Sequence, residues 1–189
     1  MAPPEAEVPF TAVYRNIFTA EKDTALEFEY SADERAFFFL DGKYVGDGPE
    51  RGCPQRWYLG RISVKVGAGS HTLTARVYCF GKKWTLHAQM SIRYGLYVNE
   101  KSALLGEWEY ALEKWIGFEQ AFPDWCAYPR VRIGKDYNSG ILRGKGGNWN
   151  RAAYFTDTRT LHEPDLPPMR HQEIFPDSVS GSVKKFNHY

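Results

Sequence analysis

The chain has 189 residues, and its 24 Lys plus Arg against 23 Asp plus Glu leave a formal net charge of +1. A domain of this length buries roughly 70% of the surface of its unfolded chain, enough for one sizeable core. The charges are interspersed, whereas nucleic-acid-binding domains and polybasic membrane anchors usually concentrate basic residues. No apolar stretch approaches the roughly 20 residues of a spanning helix. Composition therefore weighs against nucleic-acid and membrane partners.

Aromatic residues make up 16% of the chain, with 12 Tyr, 12 Phe and 6 Trp. Such side chains favour strands, because they pack well on a pleated, half-buried surface. Aromatic rings also suit sugar binding, since the C–H face of a sugar stacks on a ring, although a sandwich core explains most of them. The composition therefore favours an all-β fold and makes carbohydrate a candidate ligand.

Cysteines and the N-terminus bear on the cellular compartment. Cys53, Cys79 and Cys126 are odd in number and widely spaced, which indicates neither a disulfide framework nor a CxxC metal site. Cys79 lies in a strand pattern and is interpreted as a small buried hydrophobe. Residues 1–10 lack the basic and apolar regions of a signal peptide. The compartment stays open between the cytoplasm and export with a leader absent from this chain.

Two-residue periodicity predicts strands in the first part of the chain. Residues 14–18 are expected to form a short strand. Residues 26–30 alternate apolar side chains with glutamates, which predicts a strand with one wet face. The apolar run 36–40 predicts a central strand covered on both faces. The run is followed by Asp41-Gly42, a residue pair preferred in type I′ hairpin turns. Residues 43–45 are therefore expected to form the second strand of this hairpin.

Turn residues and alternation organise the middle of the chain. Residues 46–57 contain several Gly and Pro and predict an irregular loop. Strands are expected at 58–66, at 71–80 after a Gly-rich turn, and at 88–98. In the second half of strand 71–80, Tyr78 lies on the face opposite the inward apolar residues, so that end must be covered by protein or by a ligand.

The last third of the chain adds further strands. Residues 104–115 suit a strand or a helix, and a strand followed by a turn is favoured; 128–133 and 152–157 are interpreted as later strands of the same sandwich. About eight short strands separated by turns predict an antiparallel β-sandwich or jelly roll. We expect this domain to span residues 8–168, followed by an extended tail or linker at 169–189.

Few patterns point to catalysis. Gly144–Gly147 lacks the Ser or Thr and the following helix of a phosphate loop and predicts a surface turn. The five histidines form no metal-binding pair. Glu107 and Glu109 could form a glycosidase carboxylate pair, but a solvated strand face explains them as well. Cofactors are not expected, apart from calcium, for which Asp33 and Asp47 are candidate ligands.

One cluster around the long loop is the candidate ligand site, and its sugar-binding residues are Arg51, Arg56, Trp57, Tyr78 and Trp84. Aromatic planes beside arginine forks form a plausible sugar-binding surface. In the alternative interpretation, Trp57 fills the edge of the sandwich while the arginines pin the loop through backbone carbonyls.

An ordered series of motifs carries a family resemblance. It comprises SAD at 31–33, FFFLDGKYVGDGPERGCPQRWY at 37–58 and GSHTLTARVYCFG at 69–81. The Pro-rich segment LHEPDLPPM at 161–169 corresponds to the linker from this domain to the next. This series resembles the N-terminal accessory β-sandwich of bacterial α-L-rhamnosidases and related glycoside hydrolases.

The resemblance implies a galactose-binding-like jelly roll without catalytic residues, because in such enzymes the catalytic acid and base belong to a separate (α/α)₆ barrel of the same polypeptide. We therefore expect a non-catalytic accessory domain, with carbohydrate as its candidate ligand. The alternative is a structural or protein-interaction sandwich with no sugar ligand, and a small enzyme acting through Glu107 and Glu109 is the third hypothesis.

Overall fold

The computed structural model describes residues 1–3, 7, 10–32, 35–50, 56–79, 94–113, 116–120, 129–133, 139–154, 160–165 and 167, with the backbone alone for 116–120 and 129–133. The strands are β1 (Phe10–Ala20), β2 (Thr24–Ala32), β3 (Arg35–Leu40), β4 (Lys43–Gly48), β5 (Trp57–Tyr58), β6 (Gly60–Val66), β7 (Gly69–Cys79), β8 (Leu96–Glu100), β9 (Trp108–Leu112), β10 (Ile116–Gln120), β11 (Pro129–Ile133), β12 (Asn150–Arg151) and β13 (Leu161–His162). A 3₁₀ helix spans Ser139–Arg143, and no helix among the described residues is long and apolar enough to cross a membrane.

Two antiparallel sheets form the main layers. The larger has the order β12-β9-β1-β7-β3-β4, and the smaller has the order β6-β2-β8. Strands β10 and β11 pair as a separate hairpin, while β13 and β5 form a short parallel pair. The predicted all-β sandwich is thereby confirmed.

Alternating side chains build the core between the two sheets. Leu26, Phe28 and Tyr30 of β2 are 0–3% exposed, as the two-residue period predicts. Phe38 of β3 packs against them from the larger sheet, with its ring centroid 5.1 Å from Phe28 and 4.6 Å from Tyr30. Cys79 is fully buried at the end of β7, as expected of a small hydrophobe.

Tyr30 also ties the sheets together through its hydroxyl. That group donates a hydrogen bond of 2.6 Å to the carbonyl oxygen of Asp47 on β4. Its ring lies over Gly60 of β6, where a Cβ would come within 2.3 Å of Tyr30 Cζ. A glycine at position 60 is therefore required by the close approach of the ring.

The outer face of the larger sheet is partly covered by the 3₁₀ helix. Val13, Ala111 and Ile141 form a small buried cluster there. Arg15 donates 2.5 Å to the carbonyl of Gly144, and its guanidinium carbon lies 4.1 Å from the centre of the Trp149 ring. The predicted turn at Gly144–Gly147 is confirmed, with positive φ at Gly144 and Gly146.

Several predicted elements are confirmed and others are corrected. Asp41 (φ 52°) and Gly42 (φ 82°) form the predicted hairpin turn, and residues 108–112 form a strand. The loop predicted from residue 46 begins later, because β4 continues to Gly48 through a bulge opposite Phe38 and Phe39.

Strand β3 is also less covered than its apolar run suggested, since its alternate residues are half-buried. The strand predicted at 128–133 forms its own hairpin with β10 rather than joining either main sheet. Residues 88–93, 155–159 and 168–189 lie outside the described residues, so the proposed domain limits of 8–168 and 169–189 stay predictions.

Candidate functional site

The predicted sugar-binding residues fall in different places. Trp57 lies on β5, which is joined to the smaller sheet by the 2.9 Å hydrogen bond from the Ser31 hydroxyl to the Tyr58 carbonyl. Tyr78 lies on β7 of the larger sheet. Arg51 and Trp84 lie outside the described residues. The described members therefore belong to two separate surfaces.

Trp57 offers little surface to a ligand, because only 4% of it is exposed. A ring that stacks on a sugar needs an open face. The burial of Trp57 agrees with the alternative interpretation, in which this ring fills the edge of the sandwich.

Arg56 and Tyr58, on either side of Trp57, contact the C-terminal part of the described chain. Arg56 lies 3.3 Å from the Asp165 carboxylate, and the Tyr58 hydroxyl donates 2.8 Å to the same carboxylate. Arg61 on β6 bonds to Glu163. The alternative interpretation expected the loop arginines to bond backbone carbonyls, whereas for Arg56 the described partner is the Asp165 carboxylate.

Tyr78 is placed among rings and charges on the outer face of the larger sheet. Its ring meets that of Phe37 edge to face, with centroids 5.5 Å apart. In the strand register Tyr78 lies opposite Arg35 of β3. Arg35 donates to both oxygens of Asp47, at 3.0 and 3.2 Å. A charged fork therefore lies next to a pair of half-buried rings.

Tyr44 extends this arrangement to the edge strand. It lies opposite Phe39 in the register, is 49% exposed, and has its ring centroid 6.0 Å from that of Phe39. Partial burial, together with the charge and hydrogen bond of Asp47, raises the pKa of Tyr44. We name Arg35, Phe37, Tyr44, Asp47 and Tyr78 the β3–β4 surface.

Sequence reasoning missed most of the β3–β4 surface, although its signal was present. The alternation in β3 places Arg35 and Phe37 on the face opposite Phe38. The Asp41-Gly42 turn then folds Tyr44 back beside Phe39. The apolar run 36–40 predicts a strand covered on both faces, and such a strand would present no ring to solvent.

The calcium prediction concerns two aspartates. Asp47 faces the guanidinium of Arg35, and its side chain is 7% exposed. Asp33 lies outside the described residues. Within the described part of the chain, no group of three or more His, Cys, Asp or Glu side chains is arranged to hold a metal ion.

Three glutamates near β9 are each paired with an arginine. Glu109 lies 2.7 Å from Arg15, and Glu107 bonds to Arg151 on the exposed surface. These are the carboxylates considered as a glycosidase pair, and in the fold their oxygens contact guanidinium groups.

The third glutamate, Glu113, is buried. Its side chain is fully covered, and both of its oxygens accept hydrogen bonds from Arg76, at 2.7 and 2.9 Å. Burial raises the pKa of Glu113, and the guanidinium of Arg76 offsets part of that effect. This pair supports the fold and is out of reach of a substrate.

His71 lies beside the turn that joins β3 to β4. Its Nδ1 lies 2.8 Å from the Asp41 carboxylate and its Nε2 lies 2.9 Å from the Gly67 carbonyl. Its ring is 5.6 Å from that of Phe18. Since both partners are acceptors, both ring nitrogens must carry protons for both bonds to form. The hydrogen bond to Asp41, followed by that to Gly67, raises the pKa of His71.

Comparisons with known proteins bear on this fold. No family model matches the chain, and no curated protein matches it. Among solved structures, the crystal structure of a GH78 family rhamnosidase of Bacillus sp. GL1 matches with a TM-score of 0.53 and 16% identity, over 76% of this chain. The match covers 16% of the rhamnosidase chain. This chain therefore shares its β-sandwich fold with a part of a GH78 family rhamnosidase.

Proposed function

We propose that this chain is a non-catalytic accessory β-sandwich domain of an α-L-rhamnosidase-like glycoside hydrolase, packed beside a catalytic (α/α)₆ domain of the same polypeptide. The observation that carries the proposal is the fold shared with a 16% portion of a GH78 rhamnosidase. The motif series at 31–33, 37–58 and 69–81 supports the same assignment.

The non-catalytic role is supported by the state of the carboxylates. A glycosidase needs two carboxyl groups flanking one bond, one of them able to donate a proton. Glu107 and Glu109 each contact an arginine, and Glu113 is covered. These contacts favour a supporting role for the glutamates of β9 and its end.

An antibody raised against this chain tests the proposal in extracts of the source organism. We expect the antibody to precipitate a polypeptide far larger than 21.7 kDa, together with hydrolysis of p-nitrophenyl α-L-rhamnopyranoside. The purified 189-residue chain, as control, should not hydrolyse this substrate. A precipitate without rhamnosidase activity, or hydrolysis by the chain alone, would contradict the proposal.

Carbohydrate contact is a second candidate function, favoured by the β3–β4 surface. Tyr44 is half-exposed there, next to the bidentate Arg35–Asp47 pair. An exposed ring stacks on the C–H face of a sugar, while the partly exposed guanidinium of Arg35 can donate hydrogen bonds to its hydroxyls. Trp57 is too buried for this role.

Titration with L-rhamnose and with rhamnogalacturonan oligosaccharides, followed by amide chemical shifts, separates this function from its alternative. We expect shifts in β3 and β4 that disappear in Tyr44→Ala and persist in Tyr97→Ala. Tyr97 is the matched control because it is 43% exposed on β8 of the other sheet. Absence of shifts with both ligands would favour a structural or protein-interaction sandwich with no sugar ligand.

A further inference from the structure

Leu161 and His162 form the short strand β13 beside β5, and Glu163 and Asp165 follow it with side-chain contacts to the same part of the sandwich. Strand β13 runs parallel to β5, whereas the strand pairs of the two main sheets are antiparallel. The amide N–H of Leu59 donates a 2.9 Å hydrogen bond to the carbonyl of His162. The contact therefore resembles the addition of an extended peptide to a short open edge.

Side chains on both partners match in charge. Glu163 accepts hydrogen bonds from both terminal nitrogens of Arg61, one of them at 2.6 Å. Asp165 accepts from the Tyr58 hydroxyl at 2.8 Å and from Arg56 at 3.3 Å. Two acidic side chains are thus held by two arginines and a tyrosine.

The spacing of the acidic residues fits an extended segment. In an extended chain, residues two apart project to the same side. Pro164 fixes its own φ and disfavours helix at the residue before it, which favours an extended path between Glu163 and Asp165. An acid-Pro-acid pattern therefore presents both carboxylates to one surface.

We propose that Arg56, Tyr58 and Arg61 form a recognition groove for an extended acidic segment of the pattern Glu-Pro-Asp, occupied here by the chain's own residues 160–165. The groove is independent of the accessory-domain proposal, because its argument uses only contacts within this chain.

The ion pairs that hold the segment are exposed to solvent. Side chains of both ion pairs are about half exposed, at 49% and 57% for Arg56 and Asp165 and at 55% and 62% for Arg61 and Glu163. Exposed pairs of this kind are weak and are screened by salt. We therefore expect a second peptide with the same pattern to compete for the groove.

Hydrogen exchange of the Leu59 amide in the full chain tests the groove, because its acceptor belongs to the docked segment. We expect Glu163→Lys to accelerate this exchange about 10-fold, since a second cation then faces Arg61. Glu21→Lys makes the same change of charge in the turn between β1 and β2 and should leave the exchange unchanged. No acceleration in Glu163→Lys, or equal acceleration in Glu21→Lys, would overturn the proposal.

A peptide added in trans tests recognition itself. We expect a synthetic peptide of residues 160–167, TLHEPDLP, to slow Leu59 exchange in the Glu163→Lys protein back toward the wild-type rate. A peptide of the same composition with the two acids separated by several residues should have no effect. Failure of the native peptide, or an equal effect of the rearranged peptide, would reject the groove as a recognition site.

Discussion

Replacing Arg76 by Met is expected to lower the free energy of unfolding by about 3–5 kcal/mol, because it leaves a buried charge without its partner. Glu113 is fully covered in the fold, and both of its oxygens bond to Arg76. Without the guanidinium, the carboxylate either stays ionised away from water or takes up a proton. Urea unfolding followed by tryptophan fluorescence measures the loss.

Two further variants give this prediction its controls. Arg151→Met removes an arginine from an exposed pair with Glu107, whose side chains are 72% and 67% exposed, and should change stability by less than about 1 kcal/mol. The double variant Arg76→Met/Glu113→Leu should recover most of the loss, since hydrophobic replacements of buried pairs are often neutral. An Arg76→Met loss no larger than that of Arg151→Met would disprove the assigned role.

Stability is also expected to decline as pH rises through the titration of His71. Its folded-state pKa is raised above the usual value near 6.5 by the bonds to Asp41 and Gly67. A raised pKa means that the folded state binds the proton more tightly than the unfolded state. The extra stability is therefore complete below about pH 6.5 and disappears as pH rises through the raised folded pKa.

Asp41→Asn isolates this effect. Asparagine tolerates the positive φ of 52° at this turn and can still accept the 2.8 Å hydrogen bond from the Thr72 amide. It replaces the carboxylate oxygen that faces His71 Nδ1 by an amide NH₂, so both the negative charge and the hydrogen bond from Nδ1 are lost. We expect urea midpoints of the wild type to fall between about pH 6 and pH 8 more steeply than those of Asp41→Asn. Parallel pH profiles for the two proteins would contradict the assignment.

The sequence predicts one candidate sugar-binding site containing Arg56 and Tyr78, but the structure places them on two different surfaces. Arg56 and Tyr58 hold an acidic segment near the smaller sheet, whereas Tyr78 belongs to the β3–β4 surface of the larger sheet. Mutations in one surface should therefore leave the other intact. The Tyr44 and Glu163 variants probe them independently.

Local patterns predicted much of the fold. The two-residue period of β2 identified its buried face, and Asp41-Gly42 identified the hairpin. Both features depend on residues within a few positions of each other, so a short window of sequence contains the required information.

The environment of the candidate site residues could not be predicted from sequence, because their contacts are with residues far away along the chain. In the sequence, Trp57 follows Arg56 at the end of a predicted loop, and this context is compatible with either an exposed or a buried ring. Its burial follows from neighbours that the fold brings to it. The partners of Arg56 and Arg76 are 109 and 37 residues away, at Asp165 and Glu113.

By itself the amino-acid sequence determined the all-β class, which face of β2 turns inward and where the β3–β4 hairpin bends, because backbone geometry and turn chemistry act locally. Only the tertiary structure decided which strands pair, that Trp57 is covered, and that residues 160–165 occupy the groove beside β5. The physical reason is that periodicity specifies the direction of a side chain but not the identity of what it meets. That identity depends on how distant strands are ordered in the sheets.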